Sequence, residues 1–270
     1  MENLKITVLT TSGASMPLIG LLAQREMLAG VILLGMWDQE KAMMDAQFKQ
    51  SGIPVQYYQP GDTDGPITAL TGWGSQLGIV FCCREKIPLV VAETPQYGMV
   101  NLHGSSLPDY RGVDPIYWQI RNGETEFQLT AHRLAEAFDS GAIVAQLTVV
   151  IGPYDTANRV FSNLVQQLPA LLDELLNQLD QHGGLQAQPQ QGECRHSARQ
   201  VTEDDLAINW YELTAKELCN QVRAGNPQHG GARLKMGQGQ AQLIQATPST
   251  LSGYGVSPGT IIHVSPEQGL

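Results

Sequence analysis

Asn101 and His103 stand two residues apart at the end of an apolar run, GMVNLHG (98–104). Alternation along a strand places both on the same side. The run opens into GSSLPDYRGVDP, a stretch too rich in Gly, Pro and Ser for a regular element. Further on, a second loop, RLAEAFDSGA, carries Asp139. Each piece alone is ordinary. A histidine near a strand end is commonly structural, and an aspartate before Ser-Gly is commonly a turn residue. Together they supply three roles of acyl transfer: an amide donor for an oxyanion, an imidazole for protons, and a carboxylate to orient and charge that imidazole. No pair of cysteines has zinc-knuckle spacing and no metal-ligand cluster stands out, so no metal is expected.

These residues need a scaffold. Residues 4–10, 31–35, 53–58, 77–83 and 98–104 are short apolar or β-branched runs. Between them, residues 17–25, 40–51 and 66–74 have helical spacing or composition. Strands alternating with helices argue an α/β fold with a parallel sheet covered on both faces. In such a sheet, ligands bind outside the carboxyl ends of the strands. Residues 126–134 and 142–150 read as two further strands. One long amphipathic helix is predicted over 156–182, capped by Asp155 or Thr156 and stopped at Gly183-Gly184. The domain reading is 1–185 for the catalytic domain, 186–203 as a linker or extended crossover, and 204–270 as a small β-rich C-terminal domain. The last contains a helix over 214–225 and β-like runs at 233–246 and 259–264. The stop at Leu270, where another strand is due, reads either as the N-terminal part of a larger multidomain protein or as an unusually small domain.

The composition excludes several classes. Lys and Arg number 16 against 26 Asp and Glu, giving −10, in a chain of 270 residues. Phosphate binding needs clustered Lys and Arg, so no nucleic-acid partner is expected. No stretch reaches the roughly 18 apolar residues of a membrane span. The N-terminus lacks the features of a secretory signal. Cys82, Cys83, Cys194 and Cys219 read as buried free thiols in a reducing compartment, with the cytoplasm as the location.

NLHGSSLPDYRGVDPIYW resembles the signature of enzymes that use 10-formyltetrahydrofolate: Asn-x-His, a Ser-Leu-Leu-Pro-x-Tyr-Arg-Gly loop, then an Asp-Thr/Ala-Gly loop. The resemblance continues through NGETEFQLTAHRLAEAFDSGAIVAQL and covers most of the chain. NLHGS, NGETE and GAIVAQL look like the formyltransferase domain of the bifunctional enzyme that formylates UDP-4-amino-4-deoxy-L-arabinose, with methionyl-tRNA formyltransferase a more distant relative. The resemblance implies a Rossmann-like domain followed by a small β-rich domain, 10-formyltetrahydrofolate as co-substrate, and a small-molecule amine as acceptor. By position, Asn101, His103 and Asp139 match the catalytic trio. Ser105, Ser106, Leu107 and Pro108 match the folate-side loop. Glu85, Lys86 and Ile87, with Ala135, Glu136, Ala137 and Phe138, match segments whose backbone lines the pterin pocket. Tyr110, Arg111 and Asp114 are candidates for the substrate side.

The loop departs from the family at Ser106, where Leu is usual, and at Asp109, where Lys or Arg is common. Val113 and Asp114 are also unusual, and none of the four touches the trio. His132 reads as structural, with a folate- or substrate-side role as the alternative. The expected acceptor is an amino sugar nucleotide. The alternatives are an amino acid, free or tethered to a carrier, for which Asp114 is the support, and a folate-binding domain without activity. A tRNA acceptor is disfavoured, because the stretch WDQEKAMMDAQFKQSG is short and barely charged where the tRNA enzyme has a long basic insertion.

Overall fold

β-Branched and aliphatic runs fit a pleated, buried surface, and here they become strands. The computed structural model describes residues 4–35, 38–59, 61–237, 239–249 and 255–262. Five strands run parallel: β1 (Ile6–Thr10), β2 (Leu28–Leu33), β3 (Val55–Tyr57), β4 (Leu77–Phe81) and β5 (Met99–His103). β6 (Glu126–Arg133) and β7 (Ile143–Val150) extend the sheet antiparallel. The order is β3-β2-β1-β4-β5-β6-β7. β1 and β4 are buried at every position, as central parallel strands must be. The connections between the parallel strands carry α1 (Met16–Gln24), α2 (Gln39–Gln50), α3 (Asp64–Gly72) and α4 (Leu89–Ala92). The chain steps outward from β1 to β3, then returns to place β4 on the other side of β1. The order therefore reverses between β1 and β4. A crevice for a ligand opens at the carboxyl ends of such strands, and β5, which ends in His103, is the next strand along.

The helix expected over 156–182 is two helices, α6 (Ala157–Val165) and α7 (Leu168–His182), after the seven-residue α5 (Pro115–Arg121). Pro169 causes the break. It lacks an N–H, and its ring clashes with the carbonyl four residues back, that of Val165. The same proline is well tolerated in the first turn of α7. Gly183 ends α7 in the left-handed conformation, φ 67°.

The chain divides into two compact units. The first, Met1–Pro115, Glu126–Val150 and Phe161–Arg199, contains the seven-stranded sheet. The second is Ile116–Thr125, Ile151–Val160 and Gln200–Leu270. It contains α8 (Glu203–Leu206), α9 (Ala215–Gly225) and an antiparallel pair, β8 (Ala232–Met236) and β9 (Gly239–Leu243). Capping boxes start α8 at Thr202 and α9 at Thr214. The Gln221 amide donates to the Asp205 and Ala207 carbonyls at 2.8 and 3.0 Å. Residues 259–262 form no strand, against expectation, while 263 and 264 lie outside the described residues.

All four cysteines are free thiols. Burial pushes Cys82 and Cys83 up to about 12. Against the expectation of buried thiols, Cys82, Cys83 and Cys219 are partly buried, and Cys194 is exposed because it sits on the extended segment after α7 that contributes little core. Among the described residues, no helix is long and apolar enough to cross a membrane.

Candidate active site

β5 delivers Asn101 and His103, and the loop after β6 delivers Asp139. The three side chains meet. Asn101 Nδ2 donates to Asp139 Oδ1 at 3.1 Å, and His103 Nδ1 lies 3.7 Å from the same oxygen. The far side of the imidazole is fixed as well, with His103 Nε2 2.8 Å from the Tyr110 carbonyl. A carbonyl can only accept, so Nε2 carries the proton. Neutral His103 therefore presents the lone pair of Nδ1 towards Asp139.

His132 is a fourth member. It stands opposite Asn101 in the β5–β6 register. Its Nδ1 is 2.8 Å from the Arg133 carbonyl, which makes Nδ1 the donor and leaves Nε2 an acceptor. Asn101 Nδ2 lies 3.1 Å from that Nε2. The two hydrogens of the Asn101 amide thus point at one carboxylate and one imidazole. The sequence suggests a structural His132 with a folate- or substrate-side role as the alternative, and the structure places it against Asn101. The antiparallel pairing of two strands, each with a histidine near its end, was the signal available.

Both titrating groups are displaced. Burial holds the His103 pKa below its ordinary 6.5, against the Asp139 charge and the Tyr110 hydrogen bond, which raise it; the His132 ring lowers it further. Burial pushes Asp139 up, but His132, the charge of His103 and the Gly112 N–H together hold it below the ordinary 3.8. The Gly112 N–H donates to Asp139 Oδ2 at 3.0 Å. Signs follow for stability. His103 binds its proton more readily in the unfolded chain, so its contribution is complete above about 6.5 and is lost as pH falls below. The Asp139 contribution is complete above about 3.8 and is lost as pH falls through its lower folded value. Urea unfolding across pH 4–8 is expected to show stability rising with pH up to about 6.5. The part of this rise due to His103 disappears in His103→Asn, and an unchanged profile in that variant would contradict the buried, neutral imidazole.

The other expected site residues are distributed as follows. Glu85–Ile87 and Ala135–Phe138 face each other, bridged by Lys86 Nζ and Glu136 Oε2 at 3.2 Å. The main-chain groups of Lys86, Ala135, Glu136 and Phe138 make no hydrogen bond among the described residues, and the Phe138 ring is exposed. Ile87 is buried. Ser105 is fully buried, its hydroxyl donating to the Asp109 carbonyl at 2.8 Å. The Ser106 hydroxyl accepts from the Gln128 N–H at 3.0 Å, and Leu107 is buried before the half-buried Pro108. Tyr110 is buried and stacks on His196 with centroids 5.2 Å apart. The guanidinium of Arg111 donates to Gln190 Oε1, and Asp114 Oδ1 accepts from Arg84 Nη2 at 3.0 Å. Asp109, an unusual residue in its loop, is paired with Arg195, whose backbone N–H it also binds at 2.7 Å. Among the described residues, no group of three or more His, Cys, Asp or Glu is placed to hold a metal ion.

Comparison with known proteins adds the family context. The formyl transferase family model matches residues 68–175, and that of the formyl transferase C-terminal domain matches 200–270. Methionyl-tRNA formyltransferase of Synechococcus sp. (strain JA-2-3B'a(2-13)) is 33% identical over 208 residues, 76% of this chain and 63% of that protein. The enzyme of the same name from Synechococcus sp. (strain JA-3-3Ab) is 32% identical over 226 residues, 81% of this chain and 68% of that protein. This chain thus spans about two thirds of the length of these relatives. Solved structures share the fold, three of them as follows. A sugar N-formyltransferase from Shewanella sp. FDAARGOS_354 matches with a TM-score of 0.68 at 15% identity, covering 91% of this chain and 99% of its own. A 4-N formyltransferase from Francisella tularensis matches with a TM-score of 0.69 at 16% identity, covering 92% and 100%. HypX from Aquifex aeolicus in complex with tetrahydrofolic acid matches with a TM-score of 0.62 at 18% identity, covering 85% and 35%.

Proposed function

The chain belongs to the formyl transferase family, and from that premise we propose that it moves the formyl group of 10-formyltetrahydrofolate to a primary amine of an amino sugar nucleotide. The observation that carries this reading is the meeting of Asn101, His103 and Asp139 around an imidazole kept neutral by burial. A base must be unprotonated at working pH, and the depressed pKa of His103 meets that condition.

In this reading the neutral amine attacks the formyl carbon, and the carbonyl oxygen gains negative charge. Asn101 turns one N–H from His132 to that oxygen, while its other N–H stays on Asp139. His103 Nδ1 takes the proton from the attacking nitrogen. The imidazolium then lies between the Asp139 carboxylate and the Tyr110 carbonyl, and returns its proton to the departing N10. Asp139 stabilises this cation and is not itself protonated. The main-chain groups of Lys86, Ala135, Glu136 and Phe138, which have no hydrogen-bond partner among the described residues, suit a pterin edge, which offers a fixed row of donors and acceptors. Glu85, Ile87, Ala137 and the Ser105–Pro108 loop complete the folate side.

The sugar acceptor is supported by the chain's charge and by fold neighbours that are themselves sugar N-formyltransferases. The amino acid reading loses its support, since Arg84 already occupies the carboxylate of Asp114. A methionyl-tRNA acceptor is favoured by the curated relatives and opposed by the net charge of −10. The test is a panel of amines with 10-formyltetrahydrofolate, with initiator tRNA binding measured beside it. Amino sugar nucleotides are expected to be formylated, and tRNA to show no binding at physiological salt. A salt-sensitive micromolar complex with charged initiator tRNA, formylated in preference to every sugar, would overturn the acceptor assignment.

A further inference from the structure

Asp139 has left-handed backbone, with φ 52°. Residues other than Gly rarely hold this conformation unless their surroundings impose it. One side chain does so from far along the chain. Gln190 Nε2 donates one hydrogen to the Asp139 carbonyl at 2.7 Å and the other to the Gly141 carbonyl at 2.8 Å. Both carbonyls of the turn are thereby held by a single amide. The amide is itself oriented, because Gln190 Oε1 accepts from Arg111 Nε at 3.1 Å and also from Nη2. Turning the amide over would set its oxygen against two carbonyls and its NH2 against a guanidinium, four like contacts in place of four hydrogen bonds.

The segment carrying Gln190 is fixed to the same unit at several points. Gln188 pairs with Ile143, and Ser197 with Arg111. The Tyr110 N–H donates to the His196 carbonyl at 2.7 Å. Gly112 approaches it so closely that a Cβ there would stand 2.4 Å from the Ala198 carbonyl oxygen. The extended segment thus contacts the residues that present both Asp139 and the carbonyl partner of His103.

We propose that Gln190, oriented by Arg111, is a positioning residue that holds Asp139 in the left-handed conformation from which its carboxylate faces His103. This rests on the functional reading above in assigning catalysis to His103 and Asp139. It also makes Arg111 act through Gln190 rather than on the substrate.

The test combines the His103 titration, followed by NMR of its ring, with kinetics of the full chain. Besides Asp139, the titratable ring facing His103 is that of His132, 6.3 Å away between centroids. Withdrawing the Asp139 charge removes the larger of the two factors that raise the His103 pKa, leaving the Tyr110 hydrogen bond. Gln190→Ala is therefore expected to move the His103 titration to lower pH. It should also lower kcat about 10²-fold, the scale of an ångström's misplacement, with the KM for the amine little changed. Adding Arg111→Ala to Gln190→Ala should cost nothing further. Gln190→Glu keeps an acceptor for Arg111 but presents only oxygen to the two carbonyls, so it carries the same prediction if the alanine variant fails to fold. An unmoved titration with kcat intact would overturn the proposal. So would a further loss of kcat, or a raised KM, when Arg111→Ala is added. A moved titration in a protein that formylates no amine would uphold the positioning and overturn the functional reading instead.

Discussion

His103→Ala is expected to lower kcat by about 10²- to 10⁴-fold, the range of a positioned acid–base group. The size follows from how few substitutes the site offers. Nδ1 of His103 lies 3.7 Å from Asp139 Oδ1 while its opposite nitrogen is committed to Tyr110. The nearest substitute is His132 Nε2, 3.5 Å from Asp139 Oδ1, which is engaged by Asn101 until that amide turns to the oxyanion. The variant is expected to remain folded. Removing the ring leaves the Tyr110 carbonyl without its imidazole partner, a cost of about 1–3 kcal/mol, against typical stabilities of about 5–15 kcal/mol. Circular dichroism and urea unfolding check the fold, and single-turnover formyl transfer checks the rate. Near-native turnover in the folded variant would remove His103 from the mechanism.

Asn101→Ala comes next, with an expected loss of about 10²–10³ in kcat, the usual value of one oxyanion donor. The same side chain also touches Asp139 and His132, so its loss loosens the carboxylate as well. Asp139→Ala removes the partner of the imidazolium. Groups that act as a unit give strongly non-additive losses. The Asn101→Ala/Asp139→Ala double variant is therefore expected to be little worse than the worse single variant. Rate losses that multiply would show the two residues acting separately, and would refute the shared hydrogen-bonded arrangement as the source of activity.

Much of this site is visible in local sequence. The Asn-x-His spacing at the end of β5 places both side chains on one side of a strand, and they do meet Asp139. The sheet's strands could be read because buried parallel strands are short aliphatic runs with few competing patterns. Boundaries moved where the local pattern was ambiguous: β2 begins at Leu28 rather than Val31, since Leu-Ala-Gly suits a helix end as well as a strand. One helix over 156–182 is expected and two are found because the apolar period continues across Pro169, and periodicity alone does not register a missing N–H.

What escaped the sequence is long-range. Gln190 reaches Asp139 across 51 residues, and Arg195 reaches Asp109 across 86. Both lie in a Gln-rich polar stretch whose composition reads as a linker, and no period or spacing marks a glutamine that grips a distant turn. Asp109 is a departure from the family pattern whose partner the sequence does not show, and its carboxylate is taken by Arg195. The roles of Tyr110 and Gly112 rest on main-chain groups, a carbonyl and an N–H, which side-chain identity does not reveal.

Formyl transfer to a sugar amine through His103 can be followed directly in one experiment. The protein is mixed with 10-formyltetrahydrofolate carrying 13C in the formyl group and with an amino sugar nucleotide, and the label is followed by NMR. The label is expected to appear as a sugar formamide with the wild-type protein, and about 10²- to 10⁴-fold more slowly with His103→Ala. Label that remains on the folate, leaves only as formate, or reaches the sugar equally fast with both proteins would contradict it.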